Sequence, residues 1–119
     1  MALAKTDLGP IQSIVGIATS TIYTNTTNTK TYIKAFVIHN AGITTTAYCA
    51  LYQVPNLGGS VGTASSSNEF FTQYINPGET VFLEYPYPLT MTSTNDTIQL
   101  LVNSVNQRIN IQILGDKDY

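Results

Sequence analysis

Arg108-Ile109-Asn110-Ile111-Gln112-Ile113 alternates polar and apolar side chains at every step. A period of two puts Ile109, Ile111 and Ile113 on one face of an extended chain and Asn110 and Gln112 on the other. That is the pattern of a half-buried β-strand. Thr97–Asn103 repeats it, with Ile98, Leu100 and Val102 opposed by Gln99 and Asn103. The two runs predict a pair of sequential strands joined at Asn103–Asn106. Ile98, Leu100, Ile109, Ile111 and Ile113 are expected to face a common core.

Working outward, nearly every apolar segment is short, rich in β-branched and aromatic residues, and bounded by turn formers. Strands are predicted over Gln12–Ala18, Thr21–Thr24, Thr31–Asn40, Thr45–Val54, Phe70–Asn76, Thr80–Tyr85 and Leu89–Thr92 as well. In Tyr32–Asn40, Phe36 and Ile38 oppose Ile33, Ala35 and Val37, which predicts a central strand covered on both faces. Asn76-Pro77-Gly78-Glu79 reads as a type II turn: proline pre-sets φ at the first central position and glycine accepts positive φ at the second. Pro86 and Pro88 flank Tyr87, which places that stretch on a sheet edge or at a corner where the chain changes sheets. Pro55–Asn68 is expected to be a mobile surface loop. No twelve-residue window has a helical period. The expectation is an all-β chain forming a single antiparallel β-sandwich of about eight strands, jelly-roll or immunoglobulin-like, with a closed barrel as the nearest competitor. The domain is expected over residues 11–115, with an N-terminal arm over 1–10 and a C-terminal tail over 116–119.

Only 10% of the 119 residues are charged, against roughly 25% in an ordinary soluble domain. Thr, Ser and Asn supply the missing polarity, in runs such as Thr44-Thr45-Thr46 and Ser65-Ser66-Ser67-Asn68. Neutral hydroxyls and amides keep a surface wet yet cost little to desolvate when another subunit lands on them. The net charge of −2 and the scattered Lys5, Lys30, Lys34, Arg108 and Lys117 argue against nucleic acid as a partner. No run of about twenty apolar residues spans a bilayer. Asp7 and Gly9-Pro10 interrupt the N-terminal apolar stretch, so it does not read as a signal peptide, and synthesis in a cytoplasm is expected.

No combination of residues reads as a catalytic centre, a metal site or a cofactor site. His39 lies in an apolar strand and reads as a structural histidine. Cys49, in Ala47-Tyr48-Cys49-Ala50-Leu51, reads as a buried thiol. Pairing of the strands that carry them would bring the two near each other, but no acid would then orient the imidazole. One His and one Cys do not make a zinc site. Glu69, Glu79, Glu84 and Asp96 are spread over different turns and strands and read as solubilising charge. Gly58-Gly59-Ser60-Val61-Gly62 lacks the Lys-Ser/Thr and the following helix of a phosphate loop. The eight tyrosines suit protein contacts, where a large ring is paired with a hydroxyl. Lys5, Asp7, Leu57, Val61, Tyr85 and Tyr87 are the candidate partner contacts. Tyr85, Tyr87 and Phe82 could alternatively stack on sugar rings.

The order of the segments carries a resemblance. Ile22-Tyr23-Thr24 precedes a Thr/Asn-rich turn, Tyr32–Asn40 ends in Asn, and Leu51-Tyr52-Gln53-Val54-Pro55 leads into a Gly/Ser loop. Asn76-Pro77-Gly78-Glu79 opens an apolar strand, Asn95-Asp96-Thr97-Ile98 opens another, and Ile109–Leu114 closes the set. Across roughly residues 20–115 this succession resembles a group of small phage virion proteins. The resemblance implies a jelly-roll or immunoglobulin-like sandwich without catalytic residues. It implies a capsid decoration (cement) protein on the virion surface, contacting the major capsid protein. The low charge, in turn, leads to the expectation of a homotrimer, since oligomers bury neutral patches against symmetry mates. A glycan-binding module, or a tail, fibre or baseplate component, is the alternative.

Overall fold

The computed structural model describes residues 3–15, 18–103 and 108–118, of which residues 3–7 and 18 by backbone alone. These form nine strands: β1 (Leu3–Asp7), β2 (Gln12–Val15), β3 (Ala18–Thr24), β4 (Lys30–Asn40), β5 (Ala47–Val54), β6 (Glu69–Ile75), β7 (Thr80–Met91), β8 (Thr97–Val102) and β9 (Arg108–Asp118). Among the described residues, helix is confined to a single 3₁₀ turn at Ser66–Asn68.

The strands sort into two antiparallel sheets. In the first, β9 and β4 are central, β7 is one end, and β1 and β2 lie one after the other along the far side of β9. The second runs β3-β8-β5-β6. The pairings are nested: β5 with β6, β4 with β7, β3 with β8, and β1 and β2 with β9. A long hairpin folded in this nested way and rolled up is a jelly roll. Its inward side chains form one core: Ile33, Phe36, Ile38, Ile109, Ile111 and Ile113 from the first sheet meet Cys49, Leu51, Ile98, Leu100 and Val102 from the second. The Phe36 and Phe70 rings, one from each sheet, lie 6.0 Å apart. The sheets keep separate free ends, which makes this an open sandwich and not a closed barrel.

Several expectations need correction. The five C-terminal residues Ile98, Leu100, Ile109, Ile111 and Ile113 are all buried, but their strands are not paired. β8 lies between β3 and β5, whereas β9 lies against β4, so the two faces meet across the core. Alternation fixes which face is buried and is silent about the neighbour. Ser104–Asn106, in the expected turn between them, lie outside the described residues. The strand expected over Gln12–Ala18 stops at Val15, and Ala18 begins β3.

The N-terminal arm is also revised. Leu3–Asp7 pairs with Asp118–Leu114 of β9, and Leu8 donates its N–H to the Ile113 carbonyl at 2.8 Å. Backbone pairing along an open edge needs no apolar period, which is why the sequence did not announce it. The expected tail is likewise strand, since β9 continues through Asp118. Asp116 is buried and accepts an ion-paired hydrogen bond from Lys34 at 2.7 Å.

The mixed pattern of β4 has a local cause. Opposite β9, Ile33 faces Gly115 and Ala35 faces Leu114, so Lys34 is an extra residue and a bulge. A bulge reverses the parity of the strand: Thr31 and Ile33 point inward before it, Phe36, Ile38 and Asn40 after it. Gly115 makes room for it. A Cβ there would strike the Tyr32 carbonyl oxygen and come within 3.0 Å of Ile33 Cα. On the other side of β4, Leu89 faces Ile33 and Glu84 faces Ala35, which leaves Tyr85–Pro88 bulged out of the ladder. Pro86 and Pro88 thus sit where no ladder N–H is needed, on an end strand. The Asn76–Glu79 turn has its expected form, with φ of 77° at Gly78 and Glu79 N–H donating to the Asn76 carbonyl at 3.0 Å.

Candidate interaction surface

His39 and Cys49 lie in different sheets, so the strand pairing that would bring them together does not occur. His39 Nδ1 is 2.8 Å from Thr80 Oγ1, its cross-strand neighbour on β7. Cys49 is fully buried, and burial pushes its thiol up to about 11. A thiol held in that form is a poor nucleophile. Among the described residues, no group of three or more His, Cys, Asp or Glu side chains could hold a metal ion. Nor is any helix among them long and apolar enough to cross a membrane.

At one end of the sandwich, polar side chains join three loops. Asn25 is fully buried. Its Nδ2 donates to the carbonyls of Thr29 (2.8 Å) and Ser93 (3.0 Å), and its Oδ1 accepts from Thr31 Oγ1 (2.7 Å). That spends the Thr31 hydroxyl proton, so Tyr23 is the donor in its 2.8 Å bond to Thr31 Oγ1. Asp96 Oδ1 accepts from the backbone N–H and Nδ2 of Asn56, and Oδ2 from Ser93 N–H.

Through these contacts Pro55–Asn68 is tied to the β7–β8 turn instead of standing away as a loose loop. Asn95 Nδ2 donates to the Gly59 carbonyl at 2.8 Å, and Gln99 Nε2 to the Gly62 carbonyl at 3.1 Å. Leu57 and Ser60 bridge each other across Gly58 and Gly59, both at positive φ. This is a tight hairpin turn that glycine pairs favour. The Gly-Gly pair itself was the signal for it.

The six contact candidates do not form one surface. Leu57 and Val61 are exposed at the loop end of the sandwich. Tyr87, 88% exposed, stands at the tip of the β7 bulge. Tyr85 is half-buried instead, packed edge-on against Phe36 and Phe70 at 6.3 and 6.2 Å, and burial raises its hydroxyl pKa. Lys5 and Asp7 lie in β1, at the opposite end of the first sheet; their side chains are outside the described residues.

What the fold does bring together is a face nearly without charge. The strands of the second sheet contain no Lys or Arg, and Glu69 is their one acid. All five basic residues fall on β1, β4 and β9 of the first sheet. On the outward side of the second sheet, the Tyr48 and Tyr74 rings pair across the strands at 5.1 Å. Ala50, Tyr52 and Val54 form a small cluster there with Tyr48, Ala64 and Leu101. Tyr52 is held up in pKa, first by burial and then by a hydrogen bond from its hydroxyl to Glu69. Tyr74 is left 69% exposed. Beside this cluster an open groove of about 280 Å³ is lined by Thr19, Thr21, Gln99 and residues 61–64. Its lining mixes the hydroxyls of Thr19, Thr21 and Thr63 and the Gln99 amide with Val61 and Ala64, and among the described residues no ring lines it on which a sugar could stack.

No family model, curated protein or solved structure matches this chain.

Proposed function

We propose that this chain is a non-enzymatic virion structural protein, a capsid decoration protein that binds the major capsid protein and stands on the shell as a homotrimer. The observation that carries the reading is the sorting of charge between the sheets. A broad outward face bears Tyr48, Tyr74, Leu101 and threonines and no basic residue. Such a face loses little hydration energy on contact, and tyrosines are enriched in the cores of interfaces. Symmetric assemblies repeat one such patch in every subunit. The jelly roll is compatible with this role but also serves many others, so it adds no weight alone. The resemblance of residues 20–115 to small phage virion proteins points the same way.

Purified particles supply the test. The reading expects a 12.9 kDa band at copy numbers matched to the capsid protein, and threefold density on the outer shell in a particle map. Particles lacking that band would overturn it. A monomer on the shell would remove the trimer and leave the decoration role. For the glycan alternative, retention on a glycan array with no particle attachment would be the deciding result.

A further inference from the structure

The four sheet ends are not equally protected. A strand edge with free N–H and C=O groups is a template for another strand, and folded proteins blunt such edges with prolines, bulges or charges. β7 has Pro86, Pro88 and its wide bulge. β3 has a bulge beside Ile22, whose carbonyl accepts from Gln12 Nε2 at 2.5 Å. The β1–β2 side is broken at Gly9-Pro10. β6, Glu-Phe-Phe-Thr-Gln-Tyr-Ile, has no proline, glycine or lysine and a single charge. Its irregularity is confined to Phe70, and Phe71–Ile75 is regular.

The orientation of its free groups follows from register. Asn103 N–H donates to the Tyr48 carbonyl, so the Tyr48 backbone faces β8 and that of Cys49 faces β6. Gln73 lies opposite Cys49 and therefore faces β5. By alternation, the N–H and C=O of Thr72 and Tyr74 point away from the sheet.

Two further features mark this side. Among the described residues, seven half-buried apolar side chains pack on the core, and six of them (Phe70, Phe71, Val81, Leu83, Tyr85 and Leu89) lie on β6 and β7. The sandwich is therefore left partly open along the seam between those two ends. The rim is acidic: Glu69, Glu79 and Glu84 are all exposed, and no Lys or Arg occurs between residues 35 and 107.

We propose that β6 takes an extended segment of a partner chain as an added strand, apolar toward the seam and carrying Lys or Arg at both ends. This deepens the assembly reading above by naming the edge that makes the contact. A strand alongside the seven residues of β6 spans about 23 Å, which puts its ends near Glu69 and Glu79. A second copy of β6 is a poor occupant. Antiparallel pairing about a twofold would bring Glu69 of each copy toward Glu79 of the other, and like charges so placed repel. Addition of a strand to an edge draws affinity from main-chain bonds, while alternate side chains and charged ends select the partner.

The test uses the full chain, ¹⁵N-labelled, and two synthetic nine-residue peptides of alternating Val and Thr, one with Lys at both ends and one with Glu. The Lys-ended peptide should shift the amide resonances of Thr72 and Tyr74 and protect them from hydrogen exchange. The Glu-ended peptide should bind about tenfold more weakly, and added salt should narrow the gap. Thr72→Pro removes one outward N–H and should abolish binding. Should that variant fail to fold, Glu69→Gln with Glu79→Gln should erase the preference for lysine ends. The proposal is overturned if neither peptide moves Thr72 or Tyr74, or if both bind alike. Particle attachment without peptide binding would refute the edge alone; peptide binding by a protein absent from particles would refute the decoration role alone.

Discussion

Replacing Asn25 by Ala tests whether the loop end of the sandwich is held by its buried polar network. The substitution deletes two bonds donated by Nδ2, to Thr29 and Ser93, and the one that Oδ1 accepts from Thr31. Thr29 and Thr31 are 4% and 0% exposed, so water does not readily replace the lost amide. At about 1 kcal/mol of net stability for each bond, the expected loss is about 3 kcal/mol. Unfolding entropy of about 2.1 cal/mol/K per residue gives about 0.25 kcal/mol/K for a chain of this length, so the melting temperature should fall by about 12 °C. Asn25→Asp gives a sharper version. It keeps the acceptor for Thr31 but turns a carboxylate toward the two carbonyls. At pH 7 it should be at least as damaging as Ala. On acidification it should recover in part, because the protonated carboxyl regains one O–H donor. Thermal melts and urea titrations followed by circular dichroism measure both. A loss below about 0.5 kcal/mol for Asn25→Ala would be within the range of an ordinary surface change, and the network would then not be what joins these loops.

Gly115→Ala should cost about 3 kcal/mol, the upper end of ordinary overpacking, because the new methyl meets β4 backbone at Tyr32 and Ile33 and not a movable side chain; an unchanged melting temperature would mean that the bulge at Lys34 is not fixed. Cys49 should resist iodoacetamide at pH 8 until the protein is unfolded. Its folded pKa, about 11, lies above the ordinary 9.0, so its contribution to stability is complete below about pH 9 and is lost as pH rises toward 11. Tyr52 and Tyr85 shift in the same direction; Cys49→Ala should therefore lessen the alkaline loss without removing it, and an identical pH profile would refute a buried, proton-holding thiol.

The strands and turns were legible because their signals are local. Ile109, Ile111 and Ile113 announce a buried face, and Pro77-Gly78 announces a turn. What was not legible is which strand each one meets. Thr97–Val102 and Arg108–Leu114 have the same pattern whether they pair side by side or oppose each other across a core; only the nested pairing of the whole chain decides. The bulge at Lys34 was half-visible: parity changes between Ile33 and Phe36, and a lysine stands at the change. The glycine that permits it, Gly115, is 81 positions away in sequence. Leu3–Asp7 and Asp116 were misread because backbone pairing and the burial of a carboxylate against Lys34 depend on a neighbour, and neither leaves a periodic mark. The contact candidates were chosen by residue type, which does not place Tyr85 in the core seam or set Lys5 at the far end of its sheet from Tyr87.

Topology also turns a weak compositional trend into a directional one. Along the sequence, the basic residues simply cluster before residue 35 and after residue 107. The nested roll folds those two terminal regions together, because β1 and β2 pair with β9, and β9 with β4. The middle of the chain supplies β5, β6 and β8 of the second sheet and β7 at the far end of the first. Glu69, Glu79 and Glu84 therefore stand on one flank with formal charge −3, while the rest of the molecule carries +1. With a net charge of only −2, steering over long distances is weak. At physiological salt the field is screened within about 8 Å. The asymmetry acts at contact, where it selects which flank faces a partner, and the uncharged second sheet lets that contact spread with little cost in lost hydration.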